Sequence, residues 1–188
     1  TKRLSLIGTP LDTNQPDQLA ALARIASAAK ESVTLTRMAN VKALPAMPQT
    51  EILQVEELGL PDLSDITPAA FPALKRVAVI NLAGIDPAEL APIRDIESIT
   101  VSKMPGLTGP NPLAGLKGGT FRALVLANLA GVGTLTDLST VTNLDSLTIA
   151  NLDVLTDLDE LQNLVSISGV SVKQNANLQN LNGLRNVV

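Results

Sequence analysis

Pairs of apolar residues two positions apart recur about eight times along this chain of 188 residues. The two side chains of such a pair point to the same face of a β-strand, because successive residues of a strand face opposite sides. From Val55 onward the second member of each pair returns every 22 to 25 residues, an interval typical of solenoid repeats that contain a strand. The pattern therefore predicts one short strand in each repeat. The pairs are Leu4/Leu6, Val33/Leu35, Leu53/Val55, Val77/Val79, Ile99/Val101, Leu124/Leu126, Leu147/Ile149 and Val170/Val172.

A second set of apolar residues follows most pairs, three and six positions after the second member. Side chains at this spacing keep pointing inward while the chain turns away from the strand. One such coil cannot bury its own apolar face, so the coils must stack. The sequence therefore predicts an α/β solenoid, a right-handed stack of about eight coils with a parallel β-sheet on one face. The residues three positions on are Met38, Leu58, Leu82, Met104, Leu129 and Leu152, and those six positions on are Val41, Ile85, Leu107, Val132, Leu155 and Leu178.

The first repeat is the longest, with 29 residues between Leu6 and Leu35, and its extra length predicts a helix. Asn14 is suited to cap this helix and Pro16 to its first turn, and apolar residues then recur at helical spacing. We therefore expect an N-terminal helix over residues 14–30, which covers the convex side or the open end of the stack.

Shorter helical pieces are predicted in the return segments, the stretches that connect one strand to the next. Thr67-Pro68, Asp86-Pro87 and Asn111-Pro112 combine a capping residue with a proline, as at the start of one or two helical turns. In the last three repeats the corresponding pieces are shorter and suit a 3₁₀ or extended conformation. They are residues 135–138, 155–158 and 178–181.

Composition favours a single solenoid domain over residues 1–188. The chain is 45% hydrophobic but has only two aromatic residues, Phe71 and Phe121, so its core must be aliphatic. Cysteine is absent, which removes disulfides and thiolate metal sites.

No apolar run approaches the ~20 residues of a membrane-spanning helix, so we expect no direct membrane insertion. Residues 181–188 read as the approach to a further strand, and we expect a fragment of a longer chain.

The net charge of −4 comes from the last third of the chain. Residues 1–122 carry 12 basic and 12 acidic side chains, whereas residues 123–188 carry 2 basic and 6 acidic ones. An acidic surface without basic clusters does not attract phosphate groups. We therefore expect neither nucleic acid nor an anionic lipid surface as a partner.

The residues that carry out most enzymatic chemistry are missing. The chain has no His, Cys, Tyr or Trp, which removes the commonest general base, the thiolate nucleophile and the usual zinc ligands. We therefore expect a non-catalytic protein without a cofactor. The best carboxylate cluster has a spacing that could bind Ca²⁺, but it lacks the glycine and the alternating Asp and Asn of known calcium loops, so a solvated acidic turn is the favoured interpretation. Its members are Asp153, Asp157, Asp159 and Glu160.

The last third of the chain resembles two families of repeat proteins. Residues 161–184, LQNLVSISGVSVKQNANLQNLNGL, resemble the coil of receptor L domains, which reads as a Leu, an Ile-x-Gly, a short strand, an Asn, then spaced Leu and a Gly-Leu. Residues 135–152, LTDLSTVTNLDSLTIANL, are similar to bacterial internalin-type leucine-rich repeats. Receptor L domains include the ligand-binding lobes of insulin and epidermal growth factor receptors and have bacterial surface relatives. The resemblance therefore implies a leucine-rich-repeat-like solenoid that binds a partner.

The chain departs from these families at one position of the repeat. Leucine-rich repeats place an Asn three residues after the second strand residue, where its side chain bonds the backbone of neighbouring coils. Here Leu82, Leu129 and Leu152 occupy that position, each with an Asn one residue earlier. Only Asn175 stands where the family pattern expects it. We therefore expect most coils to lack a regular asparagine ladder.

Outward positions of the predicted strands form the candidate binding face. In solenoids these positions make a continuous surface that partners commonly contact. The residues expected there are small and nearly uncharged, with Arg3, Arg76 and Ile80 adding charge and apolar area towards the N-terminal end. The predicted binding residues are Arg3, Ser5, Ile7, Thr34, Thr36, Gln54, Glu56, Arg76, Ala78, Ile80, Thr100, Val125, Thr148 and Ser171.

These features favour a non-catalytic protein-binding or adhesion module of a bacterial secreted or cell-surface protein. Its partner would be another protein or the remainder of its own longer chain, and the sequence leaves the oligomeric state open. Two alternatives stay open. One is the recognition domain of a bacterial effector that acts on host proteins. The segment Leu44-Pro45-Ala46-Met47-Pro48 resembles the Leu-Pro-x-Leu-Pro turns in the repeat domains of such effectors. The other is a structural spacer in a long surface protein.

Overall fold

The computed structural model describes residues 2–188 and contains one open sheet of eight parallel strands in chain order. Each strand pairs with the strands before and after it in the sequence, so every return segment brings the chain back to the amino edge of the sheet. This arrangement is a solenoid-like α/β fold, as the repeat pattern predicts. The strands are β1 (Arg3–Ile7), β2 (Ser32–Met38), β3 (Ile52–Leu58), β4 (Arg76–Ile80), β5 (Ser98–Ser102), β6 (Ala123–Ala127), β7 (Asn143–Ala150) and β8 (Ser166–Lys173).

The apolar pairs stack in register along the inside of the sheet. Val79 in β4 lies opposite Val101 in β5, and Leu126 in β6 lies opposite Ile149 in β7. All four side chains are fully buried. The predicted register is confirmed from β1 to β8, because every predicted pair occupies equivalent positions in neighbouring strands.

The return segments complete the core. Residues three and six positions after the strand pairs are buried as predicted, for example Leu82 and Ile85 after β4, except Leu178 after β8, which is only half-buried. Each repeat unit therefore contributes one layer of aliphatic side chains that packs on the layers before and after it. The stacked layers bury what one unit alone would expose.

Helix α1 spans Pro16–Ser27 and is shorter than the predicted range of 14–30. The predicted cap is wrong, because Gln15 occupies the N-cap position. Asn14 instead donates its backbone N–H to Asp12 Oδ1 at 3.0 Å. This Asx turn ends at Asn14, the residue predicted to cap the helix, so the helix begins after it. The buried residues of α1 are Leu22 and Ala26.

Short 3₁₀ helices lie in five return segments. The prediction for Asp86 is confirmed, because the side chain of Glu89 accepts a hydrogen bond from the backbone N–H of Asp86 at 2.7 Å, as in a capping box. The segment after Thr67 forms a single turn instead, which the hydrogen bond from Phe71 N–H to Thr67 O closes at 2.8 Å. The 3₁₀ helices are Pro87–Ile93, Ala114–Leu116, Thr136–Leu138, Asp159–Leu161 and Asn182–Leu184.

Residues 155–158 and 178–181, for which 3₁₀ and extended conformations were both expected, contain no helix. The 3₁₀ turns of these repeats begin at Asp159 and Asn182, four residues after the start of each range. The reason is the repeat length of 23 residues in this part of the chain, which makes Leu158 and Leu181 the equivalents of Leu135. All three leucines precede a 3₁₀ turn with φ between −111° and −122°. Leucine spacing alone permits both alignments, so the sequence pattern did not distinguish them.

A residue with a left-handed backbone lies at the carboxyl end of every strand. It stands two positions after the second inward residue, and its φ lies between 51° and 60° in all eight cases. Asparagine tolerates this conformation better than most residues with a side chain. This requirement explains why Asn81, Asn128 and Asn151 precede the position where leucine-rich repeats carry asparagine. The other residues at this place are Gly8, Arg37, Glu57, Lys103 and Gln174.

Polar side chains connect neighbouring return segments. The carboxylate of Asp137, which is 4% exposed, accepts a hydrogen bond from the backbone N–H of Leu113 at 3.1 Å. Asn175 donates to the carbonyl of Ile149 at 3.1 Å and accepts from the N–H of Leu152 at 2.9 Å. These bonds satisfy backbone groups that the sheet leaves unpaired. They also fix the spacing of consecutive repeat units.

Replacing Asp137 with alanine should lower the free energy of unfolding by about 1–3 kcal/mol, because the buried N–H of Leu113 then lacks an acceptor. Chemical denaturation followed by circular dichroism measures the change. Asp153→Ala removes an exposed carboxylate nearby and should change the free energy of unfolding by less than about 0.5 kcal/mol. Equal losses in the two variants would contradict this role of Asp137.

Arg37 allows a test of the left-handed position, because its side chain is exposed and its φ is 54°. Arg37→Val should lower the free energy of unfolding by about 1–2 kcal/mol, whereas Arg37→Gly should preserve or raise it, since glycine has no Cβ to clash. Thermal denaturation compares the variants. At Arg24 inside α1 glycine should instead be the more harmful substitution. If Arg37→Gly proved less stable than Arg37→Val, the left-handed position would not limit stability.

Candidate binding face

The outward side chains of the eight strands form three rows across the sheet. We call them the amino row, the central row and the carboxyl row, after their place along each strand. Members of one row lie about 4.8 Å apart, the spacing of paired strands. The amino row is Arg3, Ser32, Ile52, Arg76, Ser98, Ala123, Ser146 and Gly169; the central row is Ser5, Thr34, Gln54, Ala78, Thr100, Val125, Thr148 and Ser171; the carboxyl row is Ile7, Thr36, Glu56, Ile80, Ser102, Ala127, Ala150 and Lys173.

Every predicted binding residue lies in one of these rows, so strand pairing brings all of them onto one surface. The central row is half-buried from Thr34 to Ser171, because side chains at this spacing shield one another. Ser5 is exposed, since β1 has a neighbour on only one side. Ile7, at the same edge, is 56% exposed. The surface is therefore a layer of closely spaced side chains, with more apolar exposure at the β1 edge.

Arg3 is held by an ion pair at the β1 edge. Its Nε lies 3.0 Å from Glu31 Oε2, and Lys2 Nζ lies 3.5 Å from Oε1 of the same carboxylate. The hydrogen bond from Arg3 is the main cause that lowers the pKa of Glu31 below its usual value. Glu31 therefore stays ionised at neutral pH and offsets part of the positive charge of Arg3.

Arg76 is an exposed cation in the N-terminal half of the face. It forms no salt bridge with any residue in the range 2–188. Its neighbours in the amino row are Ile52, which is 37% exposed, and Ser98. Ile80 lies on the same strand, four residues on, in the carboxyl row. This part of the face thus combines an unpaired guanidinium with exposed aliphatic side chains.

Hydrogen bonds between polar side chains follow the carboxyl edge of the face, and the sequence pattern did not predict them. Asn151 Nδ2 donates to Asn128 Oδ1 at 3.0 Å, and Asn81 Nδ2 donates to Glu57 Oε1 at 3.3 Å. These residues occupy the left-handed positions at the strand ends. The signal that could have revealed the network was the recurrence of Asn one residue before the expected ladder position.

Two grooves lie outside the three rows, and neither was predicted. The larger has a volume of about 820 Å³, lies between two return segments and is mostly apolar, with Arg94 and Asp95 paired at 3.4 Å. The smaller has a volume of about 520 Å³, lies beyond the amino row near β6 to β8 and is mostly polar. Phe71 lines the larger groove and Phe121 the smaller, but both rings are buried. In the sequence, these two isolated aromatic residues were the only indication of the two grooves.

The acidic cluster of residues 153–160 is bonded within the fold. Asp157 Oδ1 accepts a hydrogen bond from the N–H of Asp159 at 3.1 Å, and Glu160 Oε1 accepts one from the hydroxyl of Thr134. The spacing of these carboxylates therefore reflects an Asx turn of the backbone. Across residues 2–188 no three His, Cys, Asp or Glu side chains are grouped so that they could hold a metal ion. In the same range the structure has no helix with the length and apolarity to cross a membrane.

The free edge of β8 exposes apolar side chains whose equivalents are buried in the preceding repeat units. Val170 is 45% exposed, whereas its equivalent Leu147 is 1% exposed. Leu181 is 52% exposed, whereas Leu158 is fully buried. The side of β8 that faces away from β7 is thus an apolar surface bordered by unpaired backbone groups.

Comparison with known proteins adds no family assignment to this geometry. No protein-family model matches the chain, and no curated protein matches its sequence. Its function must therefore be inferred from its own residues.

Proposed function

We propose that this chain is a non-catalytic protein-binding or adhesion module that acts through its amino, central and carboxyl rows. The observation that carries the proposal is the uninterrupted eight-stranded parallel sheet with its outward side chains in register. Eight strands span about 34 Å, and five residues of a strand span about 17 Å. Such a face is large enough for most of one side of a standard protein interface.

A leucine-rich-repeat-like relationship, with a right-handed path, is part of the same proposal. The 23-residue spacing of the last strands and the two ladder bonds of Asn175, to the carbonyl of Ile149 and the N–H of Leu152, support it. The absence of cysteine supports a bacterial secreted or surface protein over an animal extracellular module, which is usually stabilised by disulfides.

The chemistry of the face favours a protein partner. Small molecules usually bind in concave pockets, and both grooves of the structure lie outside the three rows. Nucleic acid needs clustered basic side chains, and the rows carry isolated ones. Arginine is among the residues that most often dominate protein interfaces, so Arg76 beside Ile52 is the expected anchor.

Charge reversal at Arg76 tests this proposal. Arg76→Glu should weaken partner binding by about tenfold or more, because it replaces the anchor with a like-sized residue of opposite charge. Arg24→Glu makes the same change on α1, outside the face, and should leave binding unaltered. A photo-crosslinking amino acid placed at Gln54, in the central row, reports contact with the partner. The same probe at Asn111, an exposed residue of a return segment, reports contact elsewhere.

The samples to probe are bacterial envelope fractions and host-cell surface extracts. Crosslinked products from the Gln54 probe that disappear with Arg76→Glu and persist with Arg24→Glu would support binding through the face. Equal yields from Gln54 and Asn111, or no effect of Arg76→Glu, would contradict it. Circular dichroism spectra check that both variants remain folded.

A further inference from the structure

The smaller groove follows from a step in the amino edge of the sheet. Pairing between β7 and β8 begins with Asn143 and Ser166, whereas pairing between β6 and β7 begins only with Ala123 and Ser146. The last two strands therefore extend three residues beyond β6. Their extensions and the segment before β6 enclose a space of about 520 Å³, within the range of small-ligand sites.

Two glycines shape the segment before β6. Gly118 has a φ of 70°, which turns the backbone in a way that favours glycine. A Cβ at Gly119 would lie 2.4 Å from the carbonyl oxygen of Arg94 and 3.0 Å from the ring of Phe121, so a side chain would not fit there. The backbone can therefore lie close to the preceding repeat unit at this point, on the β6 side of the groove.

Polar side chains of the groove stand in two columns. From the Ala123–Ser146 pair towards the amino ends of the strands, residues 23 positions apart in the sequence occupy equivalent places in consecutive repeat units. Neighbours in a column are about 4.8 Å apart, close to the advance of one sugar residue along an extended polysaccharide. All members of both columns are exposed. One column is Thr120, Asn143 and Ser166, and the other is Arg122, Asp145 and Ser168.

The groove has no net charge and offers both donors and acceptors. Arg122 Nη2 lies 3.0 Å from Asp145 Oδ1, so the two charges offset each other. Asn143 Nδ2 donates to the hydroxyl of Thr142 at 2.9 Å, and Asn143 Oδ1 accepts no hydrogen bond within residues 2–188. Hydroxyl and amide groups both donate and accept, as sugar hydroxyls do. A polyanion or a polycation, by contrast, meets no net charge to attract it.

We propose that this groove binds a neutral, extended polysaccharide that runs across the strands, with one sugar residue for each repeat unit. The two columns would supply hydrogen bonds at matching intervals, and Arg122 and Asp145, which lie in consecutive repeat units, would meet hydroxyls of two consecutive sugar residues. Phe121 is 4% exposed, so binding relies on hydrogen bonds without aromatic stacking. Short oligosaccharides should therefore bind in the millimolar range, with affinity that rises with chain length. The site lies beyond the amino row and is independent of the proposed protein-binding face.

Titration of the isotope-labelled chain with neutral hexasaccharides, followed by nuclear magnetic resonance, tests the proposal. The probes are cellohexaose, chitohexaose and mannohexaose, with glucose as the monomer and a polygalacturonate hexamer as the charged comparison. We expect saturable shifts of backbone amides in residues 119–122, 140–145 and 166–168 with at least one neutral hexasaccharide. Glucose should bind more weakly, and the charged hexamer should not bind more tightly than the neutral ones.

Single substitutions then assign the contacts. Asn143→Ala and Ser166→Ala should each weaken binding of the neutral hexasaccharide about threefold, as for loss of one neutral hydrogen bond. Asn111→Ala and Ser27→Ala remove the same side chains elsewhere on the surface and should have no effect. The spectra show directly whether each variant is folded. The proposal is overturned if no neutral hexasaccharide gives saturable shifts, if the shifts fall on the three rows, or if the charged hexamer binds more tightly.

Discussion

Burial of the inward strand residues between neighbouring repeat units is the interaction on which the rest of the structure depends. Leu147 is buried because β6 and β8 cover it on both sides, whereas its equivalent Val170 has a neighbour on one side only and is 45% exposed. An aliphatic side chain at this strand position thus contributes fully only inside the stack. Stability is therefore close to a sum of contributions from interfaces between units, and single units have little of their own.

The left-handed residue at each strand end keeps the stacked units in one register. Because the backbone turns in the same way after all eight strands, consecutive units keep one register and their outward side chains align in rows. Asn128 and Asn151 fit this turn and also bond each other at 3.0 Å. The asparagines that depart from the leucine-rich-repeat pattern therefore form the turn and bond each other at the edge of the face, and do not lie beneath it.

The sequence predicted the strands and their register because those depend on apolar spacing of period two, which survives changes in each return segment. It did not place the last 3₁₀ turns, because leucines such as Leu155 and Leu158 are both buried and spacing alone does not say which precedes the turn. It also missed the ion pair of Arg3 with Glu31, 28 residues away, and the polar groove. Both depend on side chains that meet only after the units have stacked. The groove also depends on a step in the sheet, which leaves no trace in the apolar pattern.

The stability of the fold depends little on which side chains occupy the outward rows, and this bears on function. Gln54 Nε2 donates to Glu56 Oε2 at 3.3 Å within its own strand, so this bond does not hold neighbouring units together. Inward residues, in contrast, are fixed by volume on both sides. Outward residues can therefore change with little effect on stability, and residues such as Arg76 are free to serve a partner.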